Sequence, residues 1–211
     1  AARYSPAYAG LNVGGDWYDA FTLPDGRIGL SVGDVQGHTI DAAAFMGQIR
    51  VGLRALASVT SEPGELLART NDLLLTLGTD LFATCTFMRF DPDTGTVESA
   101  RAGHIPCVWA TADGKSGVSE DEGGPPLGVQ EGMEYPVTRY RLTTGGVFLL
   151  LTDGVVEGPS LPVDEGLDRV VRLAGIAAVA GMEATSLAAA VIKNAALVGH
   201  ELAYRRAALG E

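Results

Sequence analysis

The chain has 211 residues, with 15 lysines and arginines against 26 aspartates and glutamates, a formal charge of -11. That length can bury a substantial core and suits a single domain over residues 1–211, while the acidity opposes a nucleic-acid partner and favours cations or basic partners. No apolar run is long enough to cross a bilayer and the opening AARYSPAYAG lacks the layout of a secretion signal, so a cytoplasmic chain without membrane insertion is expected.

Between residues 7 and 35 short apolar runs alternate with turn signals, and Pro24-Asp25-Gly26 within TLPDGRIGLSV predicts a hairpin. From Thr39 to Ser58 the pattern changes to an alanine-rich helix, with Phe45, Ile49, Gly52 and Leu56 on one face and Thr39 as its cap. SEPGELLARTNDLLLTLG predicts a second helix ending near Gly78, with Ser61 as cap candidate, Pro63 just inside, and Leu66, Leu67, Thr70, Leu73, Leu74 and Leu77 as its apolar stripe. FATCTFMRFD and TVESARAG, split by Pro-Asp-Thr-Gly, predict a second hairpin.

TADGKSGVSEDEGG, at 111–124, is short of apolar residues and predicts an exposed, mobile loop. YPVTRYRL alternates as a strand does, and GVFLLLTDG is a continuous apolar run of the kind that fills a strand buried on both faces. LDRVVRLAGIAAVA and ATSLAAAVIKNAALVG predict helices. Strands, two helices, more strands and then helices, linked by hairpins, predict an α+β fold with largely antiparallel sheets.

Cys85 and Cys107 fall in no Cys-x-x-Cys or Cys/His cluster and read as buried small side chains. Three aspartates share one setting instead: Asp16 follows Gly14-Gly15, Asp34 ends an apolar strand after Gly33, and Asp153 ends a second one before Gly154. Singly, each is a common turn former; brought together, three carboxylates would repel unless hard divalent cations neutralised them. Both readings stand on spacing alone.

VGGDWYDAFTLPDGRIGLSVGDVQGH, FATCTFMRFDPDTGTVESARAGHIPCVW, PPLGV and VFLLLTDGVVE follow one another over residues 3 to 157. In that order they resemble the bacterial metal-dependent Ser/Thr protein phosphatases of the type 2C-like superfamily, in the branch typified by stage II sporulation protein E. The resemblance implies a β-sandwich of two antiparallel sheets with helices on both faces, and a site for two Mn2+ or Mg2+ ions. It assigns Asp34 to both metals, the Val35 carbonyl to one of them, and Asp16 and Asp153 to the remaining metal or metal-water contacts. It implies in-line attack by water on a phosphorylated protein without a phosphoenzyme, and a substrate of the anti-sigma-factor antagonist type. AARYSPA resembles the entry into that family's catalytic domain, which implies a longer, sensor-bearing protein, with a second copy of the chain as a candidate partner. In that family the helical pair between Asp34 and Phe82 is thought to rotate and complete the metal site.

Two departures stand out. The family's closing Asp-Asp pair is missing, and GHELAYRRAALGE occupies its place, so Glu201 is the candidate substitute ligand beside His200. Thr39 stands where the family commonly has glycine after His38. His38 and His104, each beside a glycine at a turn, read as structural hydrogen-bonding groups. The alternatives to catalysis on a phosphoprotein are a degenerate phosphatase fold that binds or senses, and a hydrolase of small phosphoesters.

Overall fold

A hairpin opens the described chain: β1 (Trp17–Thr22) runs antiparallel to β2 (Ile28–Val35), with Trp17 opposite Gly33 and Thr22 opposite Ile28. The reversal is local chemistry, since Gly26 adopts φ 84°, Gly26 N donates to Leu23 O at 3.0 Å, and Leu23 N donates to Arg27 O at 2.8 Å. The computed structural model describes residues 1–4, 14–37, 39–158 and 161–195. They form two compact units, one comprising Tyr8–Pro106 and Glu120–Leu142, the other Ala1–Ala7, Cys107–Ser119 and Thr143–Glu211.

In the first unit β3 (Ala83–Asp91) and β4 (Thr96–Ala102) form the second expected hairpin, and β7 (Val137–Arg141) joins β4. The result is an antiparallel five-stranded sheet in the order β1-β2-β3-β4-β7. Helices α1 (Ile40–Leu56) and α2 (Pro63–Leu75) supply the apolar cover. Trp17, Val35, Cys85, Phe87 and Ala100 of the sheet share one core with Phe45, Ile49 and Leu53 of α1 and Leu66, Leu67 and Leu74 of α2. Each Val, Leu, Ile or Phe side chain so removed from water contributes about 1.5–3 kcal/mol, which is why the amphipathic pattern decides where the helices lie.

Thr39 caps α1, its hydroxyl accepting from Ala42 N at 3.2 Å. At α2 the cap is Glu62 rather than Ser61: the Glu62 carboxylate accepts from Glu65 N at 2.6 Å, while the Ser61 hydroxyl accepts from Arg89 Nη1 at 2.8 Å. The expected stripe on α2 is narrower too. Leu73 and Leu77 are 42% and 43% exposed, because the inward face runs through Leu66, Leu67, Thr70, Asn71 and Leu74 and the helix stops at Leu75.

Asp19 of β1 holds Arg54 of α1 by two bonds of 2.6 Å, from Nε to Oδ2 and from Nη2 to Oδ1, and the guanidinium lies 4.9 Å over the Phe21 ring. The Arg54 hydrogen bonds hold the Asp19 carboxyl below the usual carboxylate range, outweighing burial. A folded pKa depressed in this way gives stability that is complete above the unfolded value of about 3.9 and lost as pH falls through the folded one. The urea midpoints of wild type and Arg54→Met should therefore differ at pH 6, and the difference should shrink as pH falls below the ordinary carboxylate range. A difference that persists in acid would show that the guanidinium acts through packing alone.

The second unit carries an antiparallel three-stranded sheet in the order β6-β5-β8, from β5 (Val108–Ala110), β6 (Ser116–Val118) and β8 (Val147–Leu149). Helix α3 (Val163–Val179) packs against β5 and β6, and a further helix runs over 184–195 within the described residues. Two expectations change here. The 111–124 segment contains β6, paired with β5 through Trp109 and Gly117, and so is no simple loop. GVFLLLTDG yields three strand residues, all partly exposed, and among the described residues β8 pairs with β5. Cys85 and Cys107 are both buried and outside any disulfide, as expected.

Candidate metal centre

The two Gly-Asp pairs of the first hairpin are explained by its register. Continuing the ladder one residue beyond Trp17–Gly33 sets Asp16 opposite Asp34, and Val35 N still donates to Gly15 O at 3.2 Å one step further on. Residues directly opposite in an antiparallel pair share a face, so both carboxylates stand on the same side of the sheet. They offer oxygens within 4.8 Å of one another.

Both glycines are steric requirements. A Cβ on Gly15 would lie 2.3 Å from the Val35 carbonyl oxygen and 2.8 Å from Asp34 Oδ1. One on Gly33 would lie 2.3 Å from the Thr84 carbonyl oxygen and 2.3 Å from Trp17 Cη2. Gly15 thus admits the Asp34 side chain, and Gly33 admits the indole that anchors the start of β1 beneath Asp16.

Like charges directly across a ladder destabilise it, and these two carboxylates are half-buried, a cost that a bound cation would offset. Hard divalent cations take oxygen ligands of this kind, carboxylates and backbone carbonyls together. The donor set of Asp16, Asp34 and the Val35 carbonyl beside Gly15 fits Mg2+ or Mn2+ and suits no thiolate- or imidazole-seeking metal. Burial pushes the Cys85 thiol of this unit far up from its ordinary value, which disfavours a thiolate there.

Of the residues picked out by sequence, Asp16, Asp34 and Val35 come together in the first unit. Asp153 lies in the second, exposed at the start of a single helical turn (Asp153–Val155) and accepting through its carbonyl from Val156 N at 2.8 Å and Glu157 N at 2.7 Å. Glu201, His200 and His38 lie outside the described residues. His104 is buried, with Nδ1 2.7 Å from the Thr84 hydroxyl. Thr84 itself was not singled out by sequence: it pairs with Asp34 across β2 and β3, and only the register reveals that.

A family model described as Stage II sporulation protein E (SpoIIE) matches residues 24–203. The solved RsbU and RsbW domains of Rv1364c from Mycobacterium tuberculosis are 32% identical, with a TM-score of 0.81 over 92% of this chain and 53% of that one. The phosphatase domain of the cell fate determinant SpoIIE from Bacillus subtilis, solved with a fragment of its regulatory domain, shares the fold with a TM-score of 0.71 at 17% identity, over 88% of this chain and 54% of that one. Phosphoserine phosphatase RsbU of Bacillus subtilis is 25% identical over 146 residues, which is 69% of this chain and 43% of that protein. The chain spans less than half the length of the curated relatives it matches.

Proposed function

This chain belongs to the stage II sporulation protein E (SpoIIE) family of protein phosphatases, and from that premise we propose that it hydrolyses phosphoserine and phosphothreonine on a protein of the anti-sigma-factor antagonist type. The observation that carries the reading is the Asp16–Asp34 opposition beside the Val35 carbonyl, an all-oxygen set built by two glycines that tolerate no side chain. In this reading Asp34, Asp16, the Val35 carbonyl and Asp153 would hold two ions, Mn2+ or Mg2+, with Asp34 the central ligand. Glu201 would take the place of the missing Asp-Asp pair. Such ions, when bound, supply Lewis acidity toward a phosphoryl oxygen and a water nucleophile at neutral pH.

The chain's own part is to hold these oxygens at fixed separation. The hairpin does so through the Gly15–Val35 bond and the Trp17 anchor, so little rearrangement is needed on binding. Both units acting as one catalytic domain, a cytoplasmic location, an upstream sensor domain and pairing of two copies belong to the same reading. Among the described residues no helix is long and apolar enough to cross a membrane.

A phosphoserine peptide incubated with Mn2+ should release phosphate, stop on addition of EDTA, and resume when Mn2+ is restored in excess. Turnover indifferent to the chelator would overturn the reading. Binding of the peptide without turnover at saturating Mn2+ would instead support a non-catalytic binding module, the reading favoured by the absence of an Asp-Asp pair after Asp153. Faster turnover of nucleotides than of the peptide would point to small phosphoesters.

A further inference from the structure

The row of paired residues that carries Asp16 and Asp34 continues onto β3. Asp34 pairs with Thr84, so the Thr84 side chain stands on the same face as the Asp34 carboxylate and next to it. The Thr84 hydroxyl is in turn 2.7 Å from His104 Nδ1. A threonine has few rotamers open to it in a strand, and a hydroxyl bonded on one side has its remaining proton or lone pairs aimed in known directions.

His104 is held with unusual firmness for a turn residue. It is 4% exposed, and its carbonyl accepts from Arg101 Nη1 at 2.7 Å. The same guanidinium donates from Nε to Asp121 Oδ1 at 2.7 Å and from Nη2 to the Asp121 carbonyl at 2.8 Å. Before it, Gly103 adopts φ 62°, where a Cβ would meet Pro126 Cγ at 2.6 Å, and Gly103 N donates to Gly124 O at 2.7 Å. The His104 ring reaches across to β3 and bonds Thr84, the residue paired with Asp34.

We propose that Thr84 and His104 are positioning residues for the metal ligand Asp34: His104 donates Nδ1–H to the Thr84 oxygen, and the Thr84 hydroxyl proton is thereby turned toward the Asp34 carboxylate. The arrangement is a carboxylate ligand oriented from behind by a hydrogen-bonded pair, the kind of support whose removal costs about 10–100-fold in metal affinity. The inference rests on the metal-site reading of Asp34, and its test separates the two.

Mn2+ binding to the full chain is measured by calorimetry for wild type, Thr84→Val, Thr84→Ser, His104→Gln and Asp34→Asn. Circular dichroism without metal confirms that each variant is folded. Thr84→Val, which keeps the shape and loses the hydroxyl, should weaken Mn2+ binding about tenfold or more, while Thr84→Ser should stay within about twofold of wild type. His104→Gln should weaken it as well, and by less than additively in combination with Thr84→Val, because the two act through one chain. Nitrogen-15 spectra of the imidazole should show His104 protonated at Nδ1.

If Thr84→Val binds Mn2+ as wild type does, or if His104 carries its proton only on Nε2, the positioning role is overturned while the metal site stands. If wild type and Asp34→Asn bind Mn2+ equally, the metal-site reading falls and this inference falls with it. An unfolded Thr84→Val would pass the decision to Thr84→Ser, His104→Gln and the proton position.

Discussion

Asp34→Asn is expected to lower Mn2+-dependent release of phosphate from an aryl phosphate by about a thousandfold, equivalent to about 4 kcal/mol of transition-state stabilisation. The amide keeps the size of the carboxylate and removes the charge that Asp34 contributes to both expected ions. The same substitution should leave the metal-free protein as stable as wild type or a few tenths of a kcal/mol more stable, because it ends the repulsion between carboxylates set directly opposite each other. Opposite signs for activity and stability are the mark of a residue kept for chemistry at the expense of the fold. Phosphate release and urea midpoints measured on one preparation of each protein decide the matter. Undiminished turnover in Asp34→Asn would remove Asp34 from the centre of the mechanism, and a large loss of metal-free stability would mean that its role is structural.

Arg101→Met should destabilise the protein by about 3 kcal/mol, the cost of breaking a buried ion pair from one side. The Asp121 side chain is only 2% exposed and the Arg101 side chain 18%, so the carboxylate would be left in the interior without its charge partner. Methionine preserves much of the apolar stem, which separates the charge effect from lost packing. Arg101 also ties the 120–124 segment to β4 through the reciprocal Gly103 N–Gly124 O and Gly124 N–Arg101 O bonds, each 2.7 Å. Those backbone bonds should survive in Arg101→Met, so the loss should be large yet leave a cooperative transition. A midpoint shift worth less than about 1 kcal/mol would show that water reaches Asp121 and replaces the guanidinium.

The comparison of Asp121 with Asp25 shows where sequence reading stops. Both lie in acidic, glycine-containing stretches that read as surface turns. Asp25 is one, its Oδ1 accepting from Arg27 N at 3.1 Å two residues away. Asp121 is buried because Arg101, twenty positions earlier, reaches it from the end of β4. Ser61 and Glu62 make the same point at a helix start: either can cap, and the choice falls to Glu62 because Arg89 of β3 engages the serine hydroxyl. Burial on α2 likewise depends on which arc faces the sheet, so of Leu73 and Leu74, equal by composition, the first is exposed and the second buried.

By itself the sequence determined whatever depends on neighbours along the chain: both hairpins from their Pro-Asp-Gly and Pro-Asp-Thr-Gly turns, the presence of α1 and α2 from their period and the Thr39 cap of α1, and Asp16, Asp34 and Asp153 as the carboxylates to watch. Turn conformation and helical period are set within a few residues, and a motif in family order carries the rest. Only the tertiary structure decided register and long-range pairing. It set Asp16 opposite Asp34, brought Thr84 beside Asp34 with His104 behind it, and confined the strand within GVFLLLTDG to Val147–Leu149. Strand partners are chosen by which faces can be buried together, a property of the whole sheet that no single segment encodes.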